Sequence, residues 1–250
     1  MNRSKYIFNR LIITISLFIL SPEIFPESPY KKTIYNAFIN REMYKWKDVI
    51  VTIETKNPPK TLDQKLELIN YYYGYIGYLI KKKQYETAEI YIIKGEKLID
   101  KLFIISPNNA TIYSYKGSFI GYRITISKFK AFLLAAESSA NLNKAYELDP
   151  SNVQANIDKG NIMFYAPPLF GGDKKEALKY YLKGAKLMET NRETDQNWAY
   201  LNILTMIAKI YEIIDQPLQA NQTYEKILRK EPDFYWVKMD LYPKFREKHK

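Results

Sequence analysis

The chain has 250 residues, 46% of them apolar, which is enough for a substantial core in one or two domains, and a formal net charge of +11. It contains no cysteine, and its single histidine is His249 in a charged tail. This excludes disulfides, thiolate nucleophiles and Cys-based metal sites, and nearly excludes histidine-dependent catalysis.

Arg3, Lys5 and Arg10 precede the apolar run LIITISLFIL at 11–20, which Pro22 and Glu23 end. A basic start followed by about ten apolar residues is the pattern of a secretory signal, and it is far shorter than the roughly 20 residues of a spanning helix. Residues 1–28 are expected to direct export, to the periplasm or the outer face of the inner membrane. No A-x-A-like cleavage pair follows, so the segment is either cut or kept as an anchor that associates with the membrane. A buried N-terminal helix is the structural alternative.

Residues 29–250 read as one all-helical domain of successive helix pairs. The first pair spans 30–56 and ends at Pro58-Pro59, which cannot continue a helix. The second covers 61–83 and 85–105, closed by Ser106-Pro107; the third covers 109–127 and 130–150. The fourth, 152–165 and 174–190, encloses the stretch APPLFGGD; the fifth is 197–215 and 218–234. The end, YWVKMDLYPKFREKHK, is expected to be a capping helix broken at Pro243.

These pairs resemble tetratricopeptide repeats, helix–turn–helix units of about 34 residues. In the fifth pair Ala208, Tyr211, Ala220, Tyr224 and Pro232 fall on the motif's small, aromatic and proline positions. Gly160 and Ala177 match in the fourth, Gly117, Ala145 and Pro150 in the third, and Tyr85, Ala88 and Ile92 in the second, where Gly77 comes one position late. Lys159 stands where the motif has a large apolar residue. AYELDP, YAPPLFGGDKKEAL, the NW pair at 197–198 and EPDFYWVK are also similar to a group of exported bacterial repeat proteins, a likeness that carries no activity with it. The proline-glycine insertion more weakly resembles periplasmic repeat proteins that partner the substrate-binding proteins of solute transporters.

The insertion reads as a turn. Pro167 and Pro168 stop one helix, Gly171-Gly172 reverse the chain, and Asp173 with Glu176 forms a D-x-x-E variant of the capping box. A phosphate cradle would need more glycines followed by Lys-Ser/Thr after a strand. The lysines at 81–83 read as a solvated helix end. The 23 tyrosines could stack on bases, but Tyr85, Tyr211 and Tyr224 occupy packing positions of the repeat, so no nucleic-acid partner is expected. The run YYYGYIGY at 71–78 must place some rings outward. Glu86 and Glu89 lie three apart on a face flanked by lysines, a solvated pattern rather than a catalytic pair.

The resemblance implies a right-handed superhelix of about five antiparallel pairs plus a capping helix, with first helices lining a concave face. It implies a non-enzymatic scaffold that holds a protein or peptide segment there, with no cofactor or metal. The concave positions carried over are Asn70 and Tyr73, Thr111 and Ser114, Gln154, Ile157, Asn161 and Phe164, and Asn202, Thr205 and Lys209. Asn161, directly after Gly160, is the strongest single candidate for holding a peptide backbone. The competing reading is an accessory protein of a solute transporter that encloses a small apolar ligand. A deep aromatic pocket would favour that, and an open polar groove the scaffold.

Overall fold

The computed structural model describes residues 28–127 and 131–249; the predicted export segment lies outside them except for Ser28. The first pair is α1 (Lys31–Ile39) and α2 (Met43–Thr55), the second α3 (Leu62–Lys81) and α4 (Tyr85–Ile105). The third is α5 (Ala110–Ile126) and α6 (Ala131–Leu148), the fourth α7 (Val153–Tyr165) and α8 (Lys174–Thr190). The fifth is α9 (Trp198–Ile213) and α10 (Pro217–Lys230), followed by the terminal helix α11 (Tyr242–Lys248). All five expected pairs are present, and consecutive pairs stack into a helical-repeat array.

Side-chain caps set where most first helices begin. Thr61 Oγ1 accepts from the Gln64 amide at 3.2 Å while Gln64 returns to the Thr61 amide, a complete capping box on α3. Asn109, Asn152 and Asn197 cap α5, α7 and α9 through bonds from the first-turn amides. The exits of α1, α3 and α9 share one turn. The amides of Glu42, Gln84 and Gln216 reach back to Ala37, Leu79 and Tyr211, and Arg41, Lys83 and Asp215 adopt φ of 61°, 59° and 57°. This is a Schellman closure built without glycine.

The fourth pair departs from that turn. Pro168–Phe170 forms one 3-10 turn, Gly171 takes φ 85°, and a Cβ on Gly172 would lie 1.8 Å from the Ala166 carbonyl oxygen. Asp173 caps α8 as expected, accepting from the amides of Lys175 and Glu176. The reciprocal half of the capping box is missing. The Asp173 amide donates to the Met163 carbonyl at 2.9 Å, so it is already satisfied and Glu176 pairs with Lys179 instead. At the C-terminus the break is upstream of the expected one. Pro243 sits in the first turn of α11, where its missing N–H costs nothing, and a π-helical turn at Val237–Leu241 absorbs the irregularity.

Packing follows the motif where small residues demand it. Ala208, Ala220 and Tyr224 are fully buried, and a Cβ on Gly160 would lie 2.9 Å from the Tyr181 ring. Lys159, at an apolar position, holds its ammonium 5.5 Å from the Tyr180 ring centroid and donates to Asn143 at 2.8 Å. Tyr85 corrects the sequence reading: it lies at the start of α4, exposed rather than in the core. Tyr71, Tyr72, Tyr73 and Tyr75 are all buried, although they run around the helix. The reason is that α3 has α2, α4 and α5 packed on it and leaves little face for water.

The array closes on itself. Phe38 of α1 lies 5.8 Å from Trp198 of α9 and 5.1 Å from Phe234, and the Trp46 and Trp198 rings meet at 5.1 Å. The Tyr35 hydroxyl donates to Glu231 at 2.7 Å. Each half of the core therefore contains side chains from the other end of the chain: Trp198 sits in the N-terminal cluster, Tyr35 and Ile39 in the C-terminal one.

Candidate binding site: a filled interior and an open rim

Closure fills the space that first helices would otherwise line. At its centre lies Asp158 of α7, buried and, among the described residues, without a salt bridge. Its Oδ1 accepts from the Tyr73 hydroxyl at 2.8 Å and Asn161 Nδ2 at 3.3 Å; its Oδ2 accepts from Ser114 Oγ at 2.6 Å and Gln154 Nε2 at 2.9 Å. Asn161 also donates to the Tyr73 hydroxyl at 2.6 Å and accepts from the Tyr181 hydroxyl at 2.6 Å. Desolvation raises the Asp158 pKa in spite of these donors, and burial raises Tyr73 well above the usual phenol value.

Four of the predicted concave residues, Tyr73, Ser114, Gln154 and Asn161, thus meet on one carboxylate that the sequence reading did not single out. Ser114 and Thr205 are fully buried and touch no outside molecule unless the array opens; Thr205 Oγ1 bonds the Leu201 carbonyl. Asn161 is only half-buried, but its amide is committed to the network. Asn70 bridges three first helices, donating to the Tyr115 hydroxyl at 3.0 Å and accepting from Trp198 Nε1 at 2.9 Å. Asn202 is half-buried on α9.

Two connected clefts open where the first helices begin. One, of about 610 Å³, lies between α1, α3 and α9 and is walled by Asp63, Glu67, Asn70, Glu193 and Asn197. The other, of about 460 Å³, is bounded by Thr111, Ser151, Asn152, Gln154, Ile157 and Asn191, and shares Asn70, Glu193 and Asn197 with the first. Of the predicted set, Asn70, Thr111, Gln154 and Ile157 line this rim. Asn152 Nδ2 holds Thr111 Oγ1 at 2.9 Å, tying the α7 cap to α5. Both clefts are open; the second is mostly polar, and the first exposes more apolar than polar wall, with Ile34, Leu66, Tyr71 and Trp198 in its lining.

Phe164 and Lys209 lie at the opposite end, where first helices turn into second helices. Lys209 sits 5.8 Å from the Phe164 ring and Lys174 4.3 Å from it. The lysines at 81–83 are exposed as expected, but the Lys81 ammonium also lies 3.5 Å from the Trp236 ring centroid. Partial desolvation there, with the Lys209 and Arg41 charges nearby, pushes its pKa down to about 8. The 81–83 run gave no sign of this, because Trp236 lies on a distant segment that only closure brings near. Among the described residues no group of three or more His, Cys, Asp or Glu could hold a metal ion, and no helix is long and apolar enough to cross a membrane.

A solved structure with this architecture is that of a thermophilic TPR protein of Thermus thermophilus: TM-score 0.51 and 14% identity, over 84% of this chain and 91% of that one. No protein-family model matches the chain, and no curated protein matches it. The chain has the tetratricopeptide-repeat fold, an all-α array of stacked helix pairs.

Proposed function

We propose that this protein is a non-enzymatic interaction module of the bacterial cell envelope that holds a segment of a protein partner in the rim clefts at the start of its first helices. The observation that carries this reading is the open surface along both clefts of an all-helical repeat array, on which Thr111, Asn191, Glu193, Gln196 and Asn197 offer polar side chains. An extended segment presents backbone donors and acceptors at every residue, and asparagine, glutamine and threonine side chains can meet both. The transporter-accessory reading needs an enclosed apolar pocket; both clefts are open, which supports the scaffold. The envelope placement rests on the basic, then apolar, N-terminal segment. Cell fractionation tests it: the protein belongs in the periplasm or on the outer face of the inner membrane, and full-length chain in the cytosol refutes it.

The site is tested with photoreactive side chains placed at the exposed rim positions Glu193 and Gln196, and at Lys179 and Gln222 on second helices. Irradiation in intact cells crosslinks one partner from 193 and 196 and none from 179 and 222. Crosslinks only from the second helices would put recognition on the outer surface.

A further inference from the structure

We propose that the end of the array opposite the clefts docks on an anionic lipid bilayer, with the 166–172 loop entering the headgroup boundary. The loop sequence APPLFGG has no polar side chain. It presents Leu169 at 87% and Phe170 at 61% exposure, next to Tyr165 at 69%. Its backbone is prepared for an apolar surrounding. Pro167 and Pro168 have no N–H, and the amides of Ala166, Phe170, Gly171, Gly172 and Asp173 donate to the Ile162, Pro167, Pro168, Pro167 and Met163 carbonyls respectively. A segment that leaves so few donors unmet loses little on leaving water, and its apolar side chains gain.

A cationic rim continues from this loop. Lys174 donates to the Phe164 carbonyl and, like Lys209, lies by the Phe164 ring, whose edge meets Tyr165. Lys209 and Arg41 are near enough to Lys81 to repel its ammonium. Lys81 and Arg41 lie over the neighbouring rings of Trp236 and Tyr235. None of these four cations makes a salt bridge among the described residues. The carboxylates whose charges reach Lys81 and Lys209 are engaged elsewhere, Asp240 with Lys244 and Glu212 with the Tyr224 hydroxyl. Unpaired lysine and arginine around exposed apolar and aromatic side chains complement an anionic interface, where charge attracts the surface and the apolar tip holds it. A neutral apolar pocket on a protein partner would use the loop but gain nothing from the cations.

The cysteine-free chain permits a site-specific test on the full-length protein. Leu169→Cys and, as control, Gln222→Cys on α10 are each labelled with an environment-sensitive fluorophore and mixed with vesicles of phosphatidylglycerol and phosphatidylcholine, or of phosphatidylcholine alone. A probe at the loop reports insertion there whatever the N-terminal segment does. The label at 169 shifts to an apolar environment on the anionic vesicles, at least fivefold less on the neutral ones, and the label at 222 stays aqueous on both. Lys81→Glu with Lys209→Glu abolishes most of the shift; Lys174→Glu with Lys175→Glu, in the first turn of α8, does the same if the first pair impairs folding. A label at 169 that stays aqueous on every vesicle overturns the proposal and leaves the loop to a protein partner. An equal shift on neutral vesicles, indifferent to both charge reversals, overturns the role given to the cations.

Discussion

Replacing Asp158 by asparagine separates the charge of the buried network from its shape. The carboxylate offers two acceptor oxygens to four donors: the Tyr73 hydroxyl and Asn161 amide on one, Ser114 and the Gln154 amide on the other. An asparagine keeps one oxygen and sets an NH2 against the other two donors. The hydroxyl of each set can rotate and accept, but the amide cannot without giving up its own geometry. One buried donor is therefore orphaned, which costs about 1–3 kcal/mol. The opposing term is the desolvation of the carboxylate, which the variant removes and which raises the Asp158 pKa above its ordinary 3.8. A carboxyl whose folded pKa is raised contributes stability that is fully present below the unfolded value and lost as pH rises through the folded one. Asparagine does not titrate and has no such loss, and its NH2 only donates, whereas the hydroxyl oxygen of the protonated carboxyl can still accept. Wild type should therefore lead the variant most in acid, and the gap should shrink as pH rises toward neutrality. Urea unfolding midpoints of both proteins from pH 4 to pH 7 measure it. A gap that grows with pH would mean that the four donors outweigh burial, and would refute this account of the interior.

Three further outcomes follow from the packing. Trp198→Ala removes the ring shared by α1, α2 and α3 and orphans the Asn70 carbonyl oxygen; urea unfolding should show a loss of about 3–5 kcal/mol, with both core halves affected. Gly160→Ala forces a methyl against Tyr181 and should cost about 1–3 kcal/mol in the same assay, with helical content by circular dichroism unchanged. Lys81, with its pKa lowered to about 8, should be acylated ahead of the other lysines by limiting reagent at pH 8; mass spectrometry that finds it unmodified while Lys82 and Lys83 react would contradict the cluster.

The helix pairs were legible because their breaks are local chemistry. Pro58-Pro59, Ser106-Pro107 and the paired glycines at 171–172 mark ends that any neighbours would leave in place. Asp173 was legible as a cap for the same reason, but the other half of its box was not, since the competing acceptor on Met163 belongs to the shape of the loop. The concave positions were located along the first helices, yet their fate depends on curvature, and periodicity carries no curvature. Tyr35 meets Glu231 across 196 residues, and that contact turns an expected groove into a packed interior. Asp158 went unremarked because an acidic residue in a helix reads as solvated until α3 and α5 bring Tyr73 and Ser114 to it. Tyr85 was misplaced because the motif assigns a position to the core without knowing how far the neighbouring pair reaches.

Closure of the array underlies both the filled interior and the shift of recognition to the rim, and one crosslinking measurement tests it directly. Arg41, in the first pair, and Tyr235, after the fifth, are both exposed, with the guanidinium 5.2 Å from the ring centroid. Cysteines placed at these two positions, in a chain that has none of its own, should be joined within one molecule by a short bismaleimide under native conditions, and the product should disappear when the protein is first unfolded in urea. A folded protein that reacts at both cysteines without joining them would have its first and last pairs apart, with an open groove between them and the interior network unformed.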